Sequence, residues 1–222
     1  VLTAAGVLFS FGRNSSGQCG LGHRNNDVHA PCLVAIGIGV TTMCAGMYHA
    51  AAITGEGSLF TWGNGGFGQL GHGNQSMVNR PTAVASTAFK PKQLAAGYYC
   101  TLVIDADDAI WITGSVRYGG PSSTTFTRVQ FPDTPGLPPL RFVQVSSTGE
   151  HVLALTTDGG LFSWGWGEYG QLGHGSTEDS DVPRLVQELE AVPIASAAAA
   201  AVASSARWSE GCAGGYRAGR GY

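Results

Sequence analysis

Residues 59–63 read Leu-Phe-Thr-Trp-Gly, and this pattern returns every 51 residues along the chain. The copies are Leu8-Phe9-Ser10-Phe11-Gly12, Leu59-Phe60-Thr61-Trp62-Gly63, Ile110-Trp111-Ile112-Thr113-Gly114 and Leu161-Phe162-Ser163-Trp164-Gly165. Self-similarity at a fixed period on the order of 50 residues is typical of repeat architectures such as propellers. The sequence therefore predicts repeat units that start near Leu8, Leu59, Ile110 and Leu161.

Two further motifs keep the same phase. A glycine-rich segment follows three of the copies, as Gly17-Gln18-Cys19-Gly20-Leu21-Gly22, Gly68-Gln69-Leu70-Gly71-His72-Gly73 and Gly170-Gln171-Leu172-Gly173-His174-Gly175. In the third copy only Gly119-Gly120-Pro121 remains. A turn element precedes three copies, as Ala45-Gly46-Met47-Tyr48-His49, Ala96-Gly97-Tyr98-Tyr99-Cys100 and Ser147-Thr148-Gly149-Glu150-His151.

Each unit contains short apolar runs separated by turn residues. Residues 50–54, 101–104 and 152–156 are apolar, and each is followed by a turn rich in Gly or Asp and by a second β-prone run. Two such runs joined by a short turn predict a β-hairpin. With two more strands per unit, the pattern is typical of a propeller blade. We predict an all-β fold over residues 1–192, a partial β-propeller of three to four four-stranded antiparallel blades.

The fourth residue of the quoted motif is predicted to pack between blades. Phe11, Trp62, Thr113 and Trp164 occupy this position in turn. A single repeat cannot bury its apolar surface alone, so stacked neighbours share the burial. Because Thr113 is the smallest of the four, we expect the third blade to be the loosest.

The repeat pattern fades near Val192. Residues 195–206 are mostly alanine, and a glycine-rich stretch with Cys212 follows. A further unit should place an Ala-Gly-x-x-His element near residues 199–202, and the sequence has none there. We therefore expect residues 193–222 to form a low-complexity Ala/Gly-rich tail that is disordered or partly helical.

Composition argues against several classes of protein. The net charge is −3 and only 12% of residues are charged, without the basic stripe that a phosphate backbone requires. We expect no direct nucleic-acid binding.

The longest apolar stretch, residues 194–203, is too short to span a bilayer, and the N-terminus lacks the features of a signal peptide. Cysteines without a C-x-x-C pair predict reduced thiols in a cytoplasmic or nuclear protein; they are Cys19, Cys32, Cys44, Cys100 and Cys212.

Two segments match the G-x-G-x-x-G pattern of a dinucleotide site, residues 63–68 and 165–170. Both follow a predicted strand, but neither opens a helix, and the phosphate affinity of such a site depends on a helix N-terminus. We predict structural loops, whose glycines permit positive φ and close strand approach.

The histidines are predicted to be structural. His49, Cys100 and His151 share one repeat position but belong to different blades, so a local hydrogen bond to the backbone is favoured over metal ligation. His72 and His174 follow glycine and are expected to be solvated in an exposed loop.

Two acidic segments have a simple structural interpretation. Asp105-Ala106-Asp107-Asp108 resembles the start of a calcium loop but lacks the downstream Gly and Glu, so we predict a polar hairpin turn. Glu178-Asp179-Ser180-Asp181 is expected to be solvated, with contact to a basic partner as the alternative. No catalytic grouping or G-x-S-x-G elbow is present. We predict no catalytic, cofactor-binding or metal-ligating residue, no cofactor and no enzymatic activity.

Three segments, Phe60-Thr61-Trp62-Gly63, Gly68-Gln69-Leu70-Gly71 and Ala45-Gly46-x-x-His49, resemble the repeats of the regulator-of-chromosome-condensation family. The resemblance covers roughly residues 5–190. It implies a propeller that is typically closed by seven blades. Seven units of 51 residues exceed the 222 residues of this chain, so we expect a partial ring.

The resemblance implies a protein–protein interaction scaffold. Two alternatives remain: guanine-nucleotide exchange on, or regulation of, a Ran-like small GTPase, and the substrate-binding propeller of a larger ubiquitin ligase. In the family, exchange activity resides in rim loops with an inserted wedge, and no insertion interrupts the three periods seen here. The resemblance supplies no individual partner-binding residues, so the binding site is left unassigned.

Overall fold

The computed structural model describes residues 1–37, 39–85, 87–132, 138–190 and 192–208 of the chain. Nearly all regular structure in these ranges is β-strand. The strands are β1 (Phe9–Gly12), β2 (Val28–Leu33), β3 (Val40–Ala45), β4 (His49–Thr54), β5 (Leu59–Gly63), β6 (Val78–Ala83), β7 (Pro91–Ala96), β8 (Cys100–Asp105), β9 (Ile110–Ser115), β10 (Ser122–Arg128), β11 (Phe142–Ser146), β12 (His151–Thr156), β13 (Leu161–Gly165), β14 (Ser180–Leu185), β15 (Ile194–Ala199) and β16 (Ser204–Trp208). One short 3-10 helix spans Gln187–Leu189.

The strands form five sheets that follow one another along the chain. The first sheet is β1–β2, the second β3–β6, the third β7–β10, the fourth β11–β14 and the fifth β15–β16. Within each sheet every strand pairs antiparallel with its neighbour in sequence. The predicted partial propeller of four-stranded antiparallel blades is confirmed: three complete blades lie between two two-stranded sheets.

The sequence repeat and the structural blade are out of step by half a unit. The repeat that starts at Leu59 supplies β5 and β6 of the second sheet and then β7 and β8 of the third. Each repeat therefore joins two consecutive blades through its own covalent chain.

The apolar cores lie between consecutive sheets. One cluster joins Leu102 and Ile104 of the third sheet to Phe142 and Val152 of the fourth. A second joins Leu155 of the fourth sheet to residues of β15 in the fifth. The second strand of a blade is covered on both faces, and every residue of β8 and β12 is buried. This explains why the second strands have continuous apolar sequences.

The four predicted packing anchors differ in burial. Trp62 and Trp164 are 2% and 3% exposed and Thr113 is fully buried, whereas Phe11 is 53% exposed. The prediction is wrong for Phe11, because no preceding sheet in the described residues covers the first sheet. Thr113 stands at the position where Trp62 and Trp164 carry an indole, and its hydroxyl donates to Gly68 O at 2.8 Å. The expectation that the third blade is the loosest stays a prediction.

The first part of the expected tail is folded, which corrects both the boundary near residue 192 and the expectation of disorder or helix. Residues 194–199 form β15, which pairs antiparallel with β16 at residues 204–208. Ala197 and Ala199 are buried against the fourth sheet. Their small side chains allow the fifth sheet to approach the fourth closely. The alanine-rich composition of this segment did not predict such a contact. Residues 209–222, with Cys212, lie outside the described residues.

Trp62→Ala is expected to lower the free energy of unfolding by about 3–5 kcal/mol, because it removes a buried aromatic side chain and leaves a cavity. Phe11→Ala, at the same repeat position, should cost about 0.5–1 kcal/mol because the Phe11 ring is largely solvated. Urea denaturation followed by circular dichroism measures both losses. Equal losses in the two variants would contradict the assignment of Trp62 as an anchor between blades.

Candidate protein-binding rim

Two kinds of connection emerge at one edge of the propeller, because strands in an antiparallel blade alternate in direction. The tight turns between the first and second strands lie there, together with the loops between the third and fourth strands. We call this edge the loop rim; it comprises turns 46–48, 97–99 and 147–150 and loops 64–77, 116–121 and 166–179.

The turns of the loop rim stack too closely to admit a side chain at their glycine. A Cβ atom on Gly46 would lie 2.4 Å from Gly97 O, and one on Gly97 would lie 2.8 Å from Gly149 O. A Cβ atom on Gly149 would likewise lie 2.7 Å from Ala201 O, in the turn of the fifth sheet. Each turn therefore needs a glycine where the next blade approaches, although in the third copy this is Gly149, one residue after the position of Gly46 and Gly97.

The histidine of the same element links two blades. His49 Nε2 lies 2.8 Å from Thr101 Oγ1 in the third sheet, and this hydroxyl donates to Gln69 O at 2.7 Å. Because the hydroxyl proton is already donated, His49 must donate from Nε2. The prediction of a structural histidine is right in kind, but the partner is a side chain of the next blade and not the local backbone.

The same arrangement recurs two sheets further on, between the fourth and fifth sheets. His151 Nε2 lies 2.9 Å from Ser204 Oγ, which donates to Gln171 O at 2.7 Å. Ser204 belongs to β16, so the fifth sheet continues the array in contacts as well as in strand pairing. We call this His–hydroxyl–carbonyl set the blade relay.

Cys100 takes the histidine position in the third sheet. Its thiol is fully buried, and burial raises its pKa to about 11. Within the ranges that the structure describes, no three His, Cys, Asp or Glu side chains lie close enough to hold a metal ion. Cys19, Cys32 and Cys44 are, like Cys100, free thiols.

The relay histidines are held neutral. Burial lowers the pKa of His49 to about 4, and the backbone of Cys100 acts in the opposite direction. Burial also lowers the pKa of His151. A histidine in the unfolded chain titrates near a pKa of about 6.5. Between about pH 6.5 and pH 4 the unfolded state therefore binds more protons, and folding stability falls as the pH decreases.

His49→Gln is expected to flatten this pH dependence, since glutamine can still donate to Thr101 Oγ1 but does not titrate. The measurement is the urea midpoint between pH 7.5 and pH 4.5, with wild type losing more stability on acidification than the variant. His29→Gln, at an exposed position on β2, is the matched control. A pH profile that is identical in wild type and His49→Gln would show that the relay does not contribute.

His72 and His174 are not simply solvated, which corrects that expectation. His72 is half-buried, and its Nε2 lies 3.0 Å from Thr61 Oγ1, whose hydroxyl donates to Leu70 O at 2.6 Å. His174 Nε2 lies 3.0 Å from Ser163 Oγ in the fourth sheet. Burial lowers the pKa of both histidines. These contacts hold the glycine-rich loops onto their own sheets.

The G-x-G-x-x-G segments are structural loops, since β5 and β13 run into loops 64–77 and 166–179 without an intervening helix. Gly63 has φ 107°, and a Cβ atom there would lie 2.5 Å from Tyr48 O. Gln69 Oε1 accepts the main-chain N–H of Phe67 at 2.9 Å. The loop is closed on itself and offers no row of free amides at a helix N-terminus.

The Asp105 turn is the predicted polar hairpin. Asp105 Oδ1 accepts the N–H groups of Asp107 and Ala109, at 2.9 and 2.8 Å, and its Oδ2 accepts Trp111 Nε1–H at 2.6 Å. The carboxylate is thus occupied by the turn and the adjacent strand.

The acidic segment at residues 178–181 is only partly solvated, which corrects the simple expectation. Arg117 donates to both carboxylate oxygens of Asp181, at 2.9 and 3.1 Å, and lies 3.4 Å from Asp179. Asp179 Oδ1 also accepts Gly167 N–H at 2.9 Å. One arginine thus joins the third blade to the fourth.

Aromatic side chains gather on the loop rim. The rings of Phe67, Tyr98, Tyr99 and Tyr118 form one connected cluster, with centroids 4.4–6.1 Å apart. Tyr118 is 69% exposed, while the other three are half-buried. Burial, and then the charge of Glu150, raise the pKa of Tyr99, so this phenol stays neutral. We call these four residues the aromatic patch.

The aromatic patch was not predicted from the sequence, although the sequence contains a signal for it. Tyr98 and Tyr99 fill the variable positions of the Ala-Gly-x-x-His element, and Phe67 and Tyr118 lie in loops that follow a third strand. The four aromatic residues can be grouped only when it is known that their connections lie on the same edge of the propeller. The main-chain N–H of Tyr118 donates to Glu150 Oε2 at 2.6 Å, which fixes the loop that carries the exposed ring.

Comparison with protein families gives one consistent match. The model of the regulator of chromosome condensation (RCC1) repeat matches residues 5–53, 56–104 and 158–205. The last match runs past residue 192 and agrees with the strands found there. In the part of the chain that the structure describes, no helix has the length and hydropathy needed to cross a bilayer.

Individual proteins show the same similarity. The ultraviolet-B receptor UVR8 of Arabidopsis thaliana is 33% identical over 189 residues, which cover 84% of this chain and 43% of UVR8. The crystal structure of human WBSCR16 superposes with a TM-score of 0.83 at 25% identity, over 94% of this chain and 55% of that one. Prp20p of Saccharomyces cerevisiae, described with its binding to Gsp1p and histones, gives 0.74 at 21% identity, over 90% and 51%. The chain spans about half the length of these proteins.

Proposed function

Because the chain belongs to the regulator of chromosome condensation (RCC1) repeat family, we propose that it is a protein–protein interaction scaffold whose loop rim binds a protein partner. The observation that carries this proposal is the aromatic patch. Its four rings stand on connections from two adjacent blades, and the rigid sheets beneath hold them in one arrangement.

Aromatic side chains suit this role on physical grounds. Tyr and Trp are enriched among the residues that dominate binding energy, because they bury a large area with few rotatable bonds. Tyr118 offers an exposed ring on a fixed loop, supported from below by Phe67 and Tyr99. A second exposed ring, Tyr169, packs edge-on against Trp166 on the next blade of the same rim.

The proposed activity is binding without catalysis, in the cytoplasm or nucleus. Three sets of polar groups hold blades and turns together: the relay histidines, the Asp105 carboxylate and the Arg117 ion pairs. The local charge near the patch is mainly acidic, from Glu150, Asp179 and Asp181 with Arg117 between them. A basic protein surface is therefore the favoured partner, and direct binding of nucleic acid or membrane remains disfavoured.

Regulation of a Ran-like small GTPase is the second candidate function. It is favoured by the fold shared with Prp20p, whose structure was described with its binding to Gsp1p. A nucleotide-release assay separates the two functions: a scaffold leaves the release of labelled GDP from a Ran-like GTPase unchanged, whereas an exchange factor accelerates it. The substrate-binding propeller of a larger ubiquitin ligase stays a third proposal, and it would use the same rim.

Photo-cross-linking from the patch tests the proposed surface. A benzoylphenylalanine in place of Tyr118 is expected to cross-link to a protein partner. The same group in place of Glu56, on the opposite edge of the blade, should not cross-link to that partner. With that partner purified, Tyr118→Ala should weaken binding at least tenfold, about 1.4 kcal/mol, while Glu56→Ala leaves it unchanged. Identical cross-links from both positions, or full affinity in Tyr118→Ala, would show that the patch is not the binding surface.

A further inference from the structure

The seam between the first and second sheets is covered by the glycine-rich loop of the first. Trp62 Nε1 donates to Gln18 O in this loop at 2.9 Å, and Gly22 N–H donates to Asn79 O of β6 at 2.8 Å. The loop is pressed onto the indole, since a Cβ atom on Gly20 would lie 2.8 Å from Trp62 Nε1. The loop thus lies along the outer strands of the following blade.

The next seam is closed in the same way. Thr113 Oγ1 of the third sheet donates to Gly68 O in the loop of the second sheet at 2.8 Å. Gly73 N–H of that loop donates to Thr124 O of β10 at 2.8 Å. In both seams, therefore, a glycine N–H of the loop reaches a carbonyl on the outermost strand of the next blade.

The seam between the third and fourth sheets lacks this cover. The connection from β9 to β10 consists only of residues 116–121, much shorter than loop 64–77 of the second sheet. A groove of about 350 Å³ lies where the loop runs in the other two seams. Its apolar lining includes Ile112, Val116, Val129, Trp164, Val182 and Pro183.

The backbone edge beside the groove is also available. Asp181 occupies the place of Asn79 and Thr124. Each of the three directly follows the residue that pairs with the last glycine of the motif that recurs every 51 residues, which is Gly165, Gly63 or Gly114. Among the described residues, no N–H of the short connection 116–121 donates to Asp181 O. Val182, the next residue, is 63% exposed. An extended segment could therefore pair with this edge as the loops do in the other seams.

We propose that this groove binds an extended segment of a partner protein, in which an aliphatic side chain stands between glycines and a basic residue follows. The occupied seam supplies the template: Gly20, Leu21 and Gly22 lie against the second sheet, with Leu21 packed in the cluster of Trp62. Charge favours the basic residue, because Arg117 brings one positive charge to two carboxylates, that of Asp181 in the groove lining and that of Asp179 beside it.

This groove is distinct from the aromatic patch, and the proposal does not rest on the proposed rim function. The test uses the full chain and a fluorescein-labelled peptide with the sequence of residues 17–24, in which serine replaces Cys19 to prevent oxidation. Fluorescence anisotropy is expected to show saturable binding. A peptide that also carries Leu21→Asp should bind at least tenfold more weakly.

Two matched variants test where on the protein the peptide binds. Thr127→Trp inserts an indole into the groove and should weaken binding at least tenfold. Thr82→Trp makes the same change at the same position of the second sheet, where the loop is already present, and should leave binding unchanged. Absence of saturable binding, or equal affinity in the two variants, would overturn the proposal. Self-association of the chain that Thr127→Trp abolishes would also overturn it, because the occupant would then be a second copy.

Discussion

The register between the second and third blades depends on one buried contact, in which His49 donates to Thr101 and Thr101 donates to the carbonyl of Gln69. The three groups come from two sheets, and each is fully buried. A buried polar group that loses its partner costs about 1–3 kcal/mol. A slip of one blade against the next would separate these groups from their partners, so the contact specifies the register between blades. Apolar packing alone, which is not directional, would tolerate such a slip more readily.

The features that the sequence predicted are those that depend on local periodicity. Strand positions, antiparallel pairing and the absence of a helix after Gly63 follow from short apolar runs, turn residues and a period of 51. The partner of His49 was not predictable in this way, because Thr101 lies in the next repeat and its hydroxyl looks like any strand residue. The fold of residues 194–208 was missed because alanine runs favour helix in isolation, whereas here Ala197 and Ala199 fill a narrow gap between sheets.

Most of the repeated polar residues and glycines of this chain hold the blades together. The repeated glycines, histidines, hydroxyls and glutamines are used in turns and in seams, as the relays at Thr101 and Ser204 show. The Arg117 ion pairs occupy positions where the copies differ. The aromatic patch is in large part repeated, because Phe67 and Tyr118 share one repeat position and Tyr99 repeats Tyr48. Its assembly could not be predicted from the sequence, because it depends on the shared edge that the strand directions create.

The degenerate third copy shows how loss of a structural element can create a surface. In an intact seam the glycine-rich loop covers the inter-blade residue, Trp62 or Thr113, and pairs with the edge of the outer strand. A partner then finds no free strand edge there. When the loop is shortened, Phe131 packs against Trp164 and keeps the indole buried, so the core survives without it. The strand edge and the apolar floor above that core are then left to a ligand. Cys100 stands in place of the relay histidine at this seam, so other contacts hold the third and fourth blades together. They are the Arg117 ion pair with Asp181 and the apolar cluster that joins Leu102 to Phe142.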